Sequence, residues 1–449
     1  MARMRQTRHP EFSLWQSAID QTLAKKQGGQ TEDLGGSGAV QRPDPNDPMV
    51  AATAMIAVDI ENKRTPSEDV PAEAPARSTE GVGGAVKYCS TIWWEIAKAR
   101  VKGDAAAEAA WKARLGAFTS CDPRYSEAVE QYVEFFRVKC DKVPYRVWKN
   151  IGDFVIDWKM PANAKVAIVG DWGTGQQEAK ALLAAIGRKN PDVVIHLGDI
   201  YYSGTEFEME NYFYNIWNQI LDPKGTGTKT FTLTGNHDMY SGGGPYYELI
   251  DKLGQPASYF CLRNDDWQFI ALDTGLHDDD PLGQNPTYLE ATEVQWLQDK
   301  INTAGNRKTV LLSHHQLFTA YEDIGPGYVN PNLSRQVGPM LDKVTAWLWG
   351  HEHNQVIYKP FQGVLGRCIG HGAYPVGITE IPMPARHPEV PLVDVQLAKG
   401  ASFYSHGYVM VELSGGSATV SYYQDSDSEG VAMFTETWGA AVGSAGSVV

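Results

Sequence analysis

Five short polar stretches, each following an apolar run, constrain this chain more than any other feature. In order they are Gly170-Asp171-Trp172-Gly173, Gly198-Asp199-Ile200-Tyr201-Tyr202, Gly235-Asn236-His237-Asp238, Ser313-His314-His315 and Gly350-His351-Glu352-His353. Short apolar runs bounded by polar turns read as buried strands. Six runs qualify: Lys165–Val169, Val193–Leu197, Thr230–Leu233, Phe269–Leu272, Thr309–Leu312 and Ala346–Trp349. Gln176–Arg188 has helical spacing and stops near Gly187, with Pro191 beyond. Strand, helix and strand make a βαβ unit, so the first two strands should be parallel. Glu293–Asn302 reads as another helix. The polar stretches then fall at carboxyl ends of strands, where alternating α/β sheets collect their ligands.

The flanks have other rhythms. Gly407–Leu413 and Ala418–Gln424 enclose Ser414-Gly415-Gly416-Ser417, a hairpin signal, and Met433–Trp438 adds a third antiparallel strand. Residues 439–449, rich in Gly, Ala and Ser, read as a flexible tail. Residues 1–85 divide poorly into elements, because Gln27–Pro48 and 65–84 are linker-like in Gly, Pro and polar residues. Residues 86–150 change character. Val86–Val101 and Tyr125–Val138 have helical spacing, with Trp93, Trp94, Tyr132, Phe135 and Phe136 as a core stripe. The expected division is a linker-rich 1–85, a small helical region 86–150, a catalytic domain 151–438 and a tail 439–449.

Composition excludes several classes. With 449 residues, 43% of them hydrophobic, the chain can bury a large core. A net charge of −15 argues against nucleic acid and against an anionic membrane surface as partners. The cysteines Cys89, Cys121, Cys140, Cys261 and Cys368 are odd in number and lack CxxC spacing. That argues against a disulfide framework or a zinc–thiolate site and for a reducing compartment, leaving one bridge among Cys89, Cys121 and Cys140 open. Met1–Asp20 has no apolar signal-peptide core, and Met49–Val58 is shorter than the ~20 residues that span a bilayer. The expectation is a soluble, cytoplasmic protein, or a periplasmic or secreted one if an export signal was removed.

The polar stretches supply Asp, Asp, Tyr, Asn, His, His and His, a donor set for two metal ions. Two metals ~3.5–4 Å apart need a bridging ligand, and a strand-end carboxylate suits that place. Asp199 is the candidate bridge, with Asp171 on the first metal and Asn236 on the second. His351 and His353 stand two residues apart, so in an extended segment both point one way and each can serve one metal. His314 completes the second set. Tyr202 is the unusual donor. A phenol is hard to deprotonate for most divalent ions, whereas ferric iron is charged enough to do so. A cationic cluster of this kind would draw in a small phosphorylated substrate despite the overall negative charge. His196, inside an apolar strand, reads as a core histidine. Asp278-Asp279-Asp280 lacks EF-hand spacing and reads as a solvated loop.

With these motifs the chain resembles the calcineurin-like metallophosphoesterases, and within them the purple acid phosphatases, especially the small tartrate-resistant type. Most metallophosphoesterases carry Asp-x-His in the first motif; here that position is Gly173. Purple acid phosphatases also lack that His and place a Tyr three residues after the bridging Asp; here that residue is Tyr202. The likeness covers about residues 164–438, with Leu272-Asp273-Thr274 and the C-terminal strands included, and does not reach 1–150.

The resemblance implies an α/β four-layer sandwich, two mixed β-sheets flanked by helices, here with an N-terminal helical extension. It implies a metal-dependent acid phosphatase acting on phosphomonoesters by in-line attack of a metal-activated hydroxide. The first metal, Fe(III), would be held by Asp171, Asp199, Tyr202 and His353. The second, Fe(II), Zn(II) or Mn(II), would be held by Asp199, Asn236, His314 and His351. His237 would face the substrate and assist the leaving oxygen, with Asp238 orienting it. The small type has Tyr-Pro after the fourth motif's His and a further substrate-side His. This chain has His315-Gln316, and the nearest counterpart of that His is Asp323. His315, Asp323 and His277 are therefore the substrate-side candidates. Two other readings stay open. One is a phosphodiesterase acting on nucleotides, cyclic nucleotides or phospholipid head groups. The other is a non-catalytic scaffold that binds a partner through the helical region 86–150, and a partner protein for residues 1–150 is open on any of these readings.

Overall fold

The computed structural model describes residue 106 and residues 143–201, 203–221, 227–278, 286–378, 381, 383–400, 403–425, 431–439 and 447–448. The expectations for residues 1–105 and 107–142, for Tyr202, Asp279 and Asp280 and for 440–446 and 449 lie outside the described residues. Lys142–Val449 form one compact unit.

The first sheet opens with β1 (Lys165–Val169), β2 (Val193–His196) and β3 (Lys229–Thr232). These pair in parallel, as the βαβ reading requires. The free edge of β1 pairs antiparallel with β10 (Gly407–Ser414), which continues through β11 (Ser417–Gln424), β12 (Phe434–Trp438) and β13 (Ser447–Val448). Part of the expected tail thus forms an edge strand. The second sheet contains β4 (Phe260–Arg263), β5 (Trp267–Ala271), β6 (Lys308–Leu312), β7 (Val344–Trp349), β8 (Gln355–Ile357) and β9 (Leu365–Ile369). Its order is β4-β5-β6-β7-β9-β8, parallel from β5 through β9 and antiparallel at both edges.

Residue alternation along the strands builds the layers. Val166 and Ile168 of β1 face Phe269, Val310, Leu312, Ala346 and Leu348 of the other sheet in one buried cluster. Ala167 and Val169 face the opposite way, onto the helices Gln177–Arg188, Asn215–Leu221 and Gly244–Leu253. Leu311, Trp347 and Trp349 pack against Ala291–Asn302 and Pro331–Val337. The result is two mixed sheets face to face, each with helices outside, the four-layer α/β sandwich. Central strands buried on both faces explain why their sequences are nearly continuous apolar runs.

Residues 143–150, grouped above with the helical region, contain no helix. They lie on the sandwich, because Tyr145 donates to Glu293 at 3.1 Å and the Trp148 indole to the Thr292 carbonyl at 2.8 Å. No described helix is long and apolar enough to cross a membrane.

Candidate metal centre

Strands β1, β2 and β3 of one sheet and β6 and β7 of the other deliver their following residues to one place. Asp171, Asp199, His351 and His353 all have left-handed backbone, with φ of 55°, 73°, 68° and 50°. Such conformations cost about 1–3 kcal/mol each, though Asp and His tolerate them better than branched residues. The compensation is geometric: the chain reverses immediately after the strand and stays within reach of the partner sheet. Gly350 is required for the same reason, since any Cβ there would collide with the Asp171 carboxylate.

Two donor sets result. In the first, one ligand atom from each of Asp171, Asp199 and His353 lies within 4.8 Å of the others. His353 Nε2 is 3.2 Å from Asp171 Oδ1, and the other Asp171 oxygen accepts from the His351 backbone N–H at 2.9 Å. In the second, His314 Nε2, His351 Nδ1 and Asn236 Oδ1 lie 3.1–3.2 Å from one another. His314 Nδ1 sits 3.0 Å from the Leu197 carbonyl, which keeps the proton there and leaves Nε2 with its lone pair. Asn236 donates its amide N–H to Tyr240 Oη at 2.5 Å, so its oxygen faces the histidines.

Lone pairs converging at that distance repel unless a proton on His351 Nδ1 or a cation lies among them. The donor set therefore fits a metal. Asp199 joins the two sets: it belongs to the first, and its Oδ1 is 3.4 Å from His314 Nε2. Burial holds the His314 imidazole well below its usual range, with His315 and His351 adding to the effect, so it is in the neutral, ligating form. Burial, then the charges of Asp171 and Asp238, push the Asp199 carboxyl well up, the electrostatic tension that bound cations would relieve.

The structure brings together six of the seven expected donors: Asp171, Asp199, Asn236, His314, His351 and His353. Tyr202 is the seventh, outside the described residues. His237 is buried at the start of a one-turn helix, Asn236–Met239, with Nε2 3.9 Å from Asp199 Oδ2. Its ring packs between Tyr201 and Tyr240, at 4.7 and 4.9 Å.

Asp238 has a different task from the one expected. Its carboxylate accepts from the backbone N–H groups of Asp199, Ile200 and Gly235, at 2.9, 3.0 and 2.7 Å. Both oxygens are thus engaged by the backbone, and Asp238 holds the Asp199 loop instead of orienting His237. Burial raises its carboxyl to about 7, against the opposing pull of those three amides.

The substrate-side candidates separate. His315 borders the second set, its ring 4.4 Å from that of His351, with Nδ1 3.1 Å from Thr274 Oγ1 and Nε2 2.9 Å from Asp278. His277 instead bonds Glu290 at 3.0 Å and stacks on Tyr288. Asp323 is exposed and pairs with His387 at 3.0 Å and Arg386 at 3.7 Å. None of those partners of His277 and Asp323 belongs to either donor set. His196 is a core histidine as expected, bonded to Thr232 at 3.0 Å and lowered by burial to about 3.

Sequence reasoning missed Tyr240 and gave Thr274 no role of its own. Tyr240 lies four residues after Asn236, one helical turn, a spacing that could have pointed to it. Thr274, named only within the stretch Leu272-Asp273-Thr274, shows its part through its contact with His315.

Residues 164–355 match the family model for calcineurin-like phosphoesterase. No curated protein matches the chain. Several solved structures are similar. GAP50, the anchor in the inner membrane complex of Plasmodium, is 16% identical with a TM-score of 0.43, over 62% of this chain and 89% of its own. A dimetal phosphatase from Danio rerio is 13% identical with a TM-score of 0.41, over 62% and 99%. A Thermus thermophilus protein is 8% identical with a TM-score of 0.32, over 46% and 89%.

Proposed function

We propose that the chain, whose residues 164–355 match the family model for calcineurin-like phosphoesterase, is a binuclear phosphatase of purple acid phosphatase type that hydrolyses phosphomonoesters. The first site would take Fe(III), and the second Fe(II), Zn(II) or Mn(II). The observation that carries this reading is the position of Asp199, a member of the first donor set whose Oδ1 lies 3.4 Å from His314 Nε2 of the second. The monoester preference and the ferric ion rest on the resemblance, in particular on Gly173 where other members have His.

When bound, the metal pair supplies Lewis acidity and an acidified water. The chain's own residues do the rest. Asp238 fixes the Asp199 loop, so the Asp199 carboxylate, which would hold both metals, needs no rearrangement during the reaction. Tyr240 and the Leu197 carbonyl hold Asn236 and His314 with their lone pairs inward. His237, buried beside Asp199, would donate a hydrogen bond to the substrate and a proton to the leaving oxygen. His315, held between Thr274 and Asp278, walls the second set on the substrate side.

The test is hydrolysis of p-nitrophenyl phosphate against bis(p-nitrophenyl) phosphate after loading with Fe, Zn or Mn. Faster monoester turnover, with one solvent oxygen label in the released phosphate after a single turnover, is expected. Faster diester turnover would assign the chain as a phosphodiesterase. No turnover with any metal would favour the scaffold reading.

A further inference from the structure

The first donor set contains a side chain that the motif comparison leaves unassigned. Tyr201 is buried, and its Oη lies 2.9 Å from Asp171 Oδ1 and 2.8 Å from His353 Nε2. One oxygen thus touches two of the three members of the set. The ring is held by Tyr374 at 5.0 Å and His237 at 4.7 Å.

The backbone explains the placement. Tyr201 N–H donates to the Gly173 carbonyl at 2.9 Å, and Gly173 pairs with Ile200 in a parallel bridge. A Cβ at position 173 would fall 2.6 Å from Ile200 Cα and 2.7 Å from the Asp199 carbonyl oxygen. Only glycine fits there, so no side chain can reach the centre from 173. The close approach that excludes a donor at 173 is the same one that carries Tyr201 into the set.

We propose that Tyr201, and not Tyr202, is the phenol donor of the first metal site. This rests on the ferric reading above. On coordination the Oη–H bond breaks, its proton passes to solvent, and the oxygen exchanges its hydrogen bond to Asp171 for a metal bond.

The test compares ferric-loaded wild type, Tyr201→Phe and Tyr202→Phe by visible absorption and resonance Raman, with iron content measured alongside. Wild type and Tyr202→Phe should show a phenolate-to-iron band with tyrosine ring modes, and Tyr201→Phe should lose both. If Tyr201→Phe does not fold, 3-fluorotyrosine placed at 201 should shift the band, and at 202 leave it unmoved. A band retained in Tyr201→Phe, lost in Tyr202→Phe, unmoved by fluorination at 201, or missing from iron-replete wild type would overturn the assignment. Phosphate release separates the two readings. A Tyr201-dependent band without turnover removes the phosphatase and keeps the ligand; turnover with a Tyr202-dependent band does the reverse.

Discussion

Tyr240 Oη lies 2.5 Å from Asn236 Nδ2, one helical turn further along, and so decides which end of the amide faces His314 and His351. Without that acceptor the amide can rotate and present its N–H₂ to the second site. Tyr240→Phe keeps the ring against His237 and removes only the hydroxyl. Loss of such an outer partner lowers metal affinity about 10–100-fold. The expected result is a drop of that size at the second site with the first unchanged, read by competing Zn(II) against a chromophoric chelator. An unchanged affinity would show that Asn236 is oriented by other contacts.

The Asp238 carboxylate leads to a stability expectation that needs no metal. Replacing it with Ala leaves three buried backbone N–H groups, those of Asp199, Ile200 and Gly235, without their acceptor. Each unsatisfied group costs about 1–3 kcal/mol, so metal-free Asp238→Ala should lose roughly 3 kcal/mol or more in urea unfolding. Asp238→Asn keeps one acceptor oxygen and should fall between it and wild type. Equal stability of all three proteins would mean that solvent replaces the carboxylate.

Much of this architecture was legible in the chain because the central strands are buried on both faces. The run Thr309–Leu312 announces β6 at Lys308–Leu312 almost to the residue. The donors were legible because polar residues directly after such runs have few other uses. What stayed hidden depended on direction, not composition. His237 and Asp238 are adjacent in sequence, but on a helix neighbours diverge by about 100°, and the two side chains serve different loops. Tyr201 and Tyr202 differ by one position after Asp199, whose left-handed φ of 73° alters the direction of everything that follows. The helix Gly244–Leu253 was missed because it follows Ser241-Gly242-Gly243, a loop signal in which Gly243, at φ 70°, acts as the N-cap. Strand β8 has three residues, too few to show a period.

Gly173 can be tested apart from any ligand. In Gly173→Ala the new methyl meets backbone atoms of Ile200 and Asp199, which cannot rotate away. Overpacking of this kind costs about 1–3 kcal/mol, and displacement of Asp199 should also reduce metal occupancy. Gly244→Ala is the control, because nothing lies within 4 Å of a Cβ there and the residue opens a helix. It should be neutral or gain up to about 1 kcal/mol. Matching losses in both variants would remove the steric argument.

Arg367 and Glu436 join the two sheets, β9 to β12, through paired bonds of 2.8 and 2.6 Å, with Tyr422 Oη adding a third at 2.7 Å. Burial alone would raise the Glu436 carboxyl, but the Arg367 guanidinium outweighs it and holds the group below its ordinary value of 4.5. The folded value is the lower one, so the stabilisation is present above the unfolded value and is lost as pH falls through the folded one. Metal-free wild type should therefore lose stability on acidification from about pH 5 downward, and Glu436→Gln should show a flatter profile across that window. In Arg367→Met the sign inverts. Burial then acts unopposed by the cation, the folded value rises above the unfolded one, and the variant should be stabilised relative to its own neutral-pH value as Glu436 takes up a proton. At neutral pH the unpaired carboxylate should cost about 3–5 kcal/mol. Urea unfolding of the three proteins from about pH 7 to pH 3.5 separates these cases; parallel pH profiles for wild type and Arg367→Met would show that the guanidinium does not set the charge of Glu436.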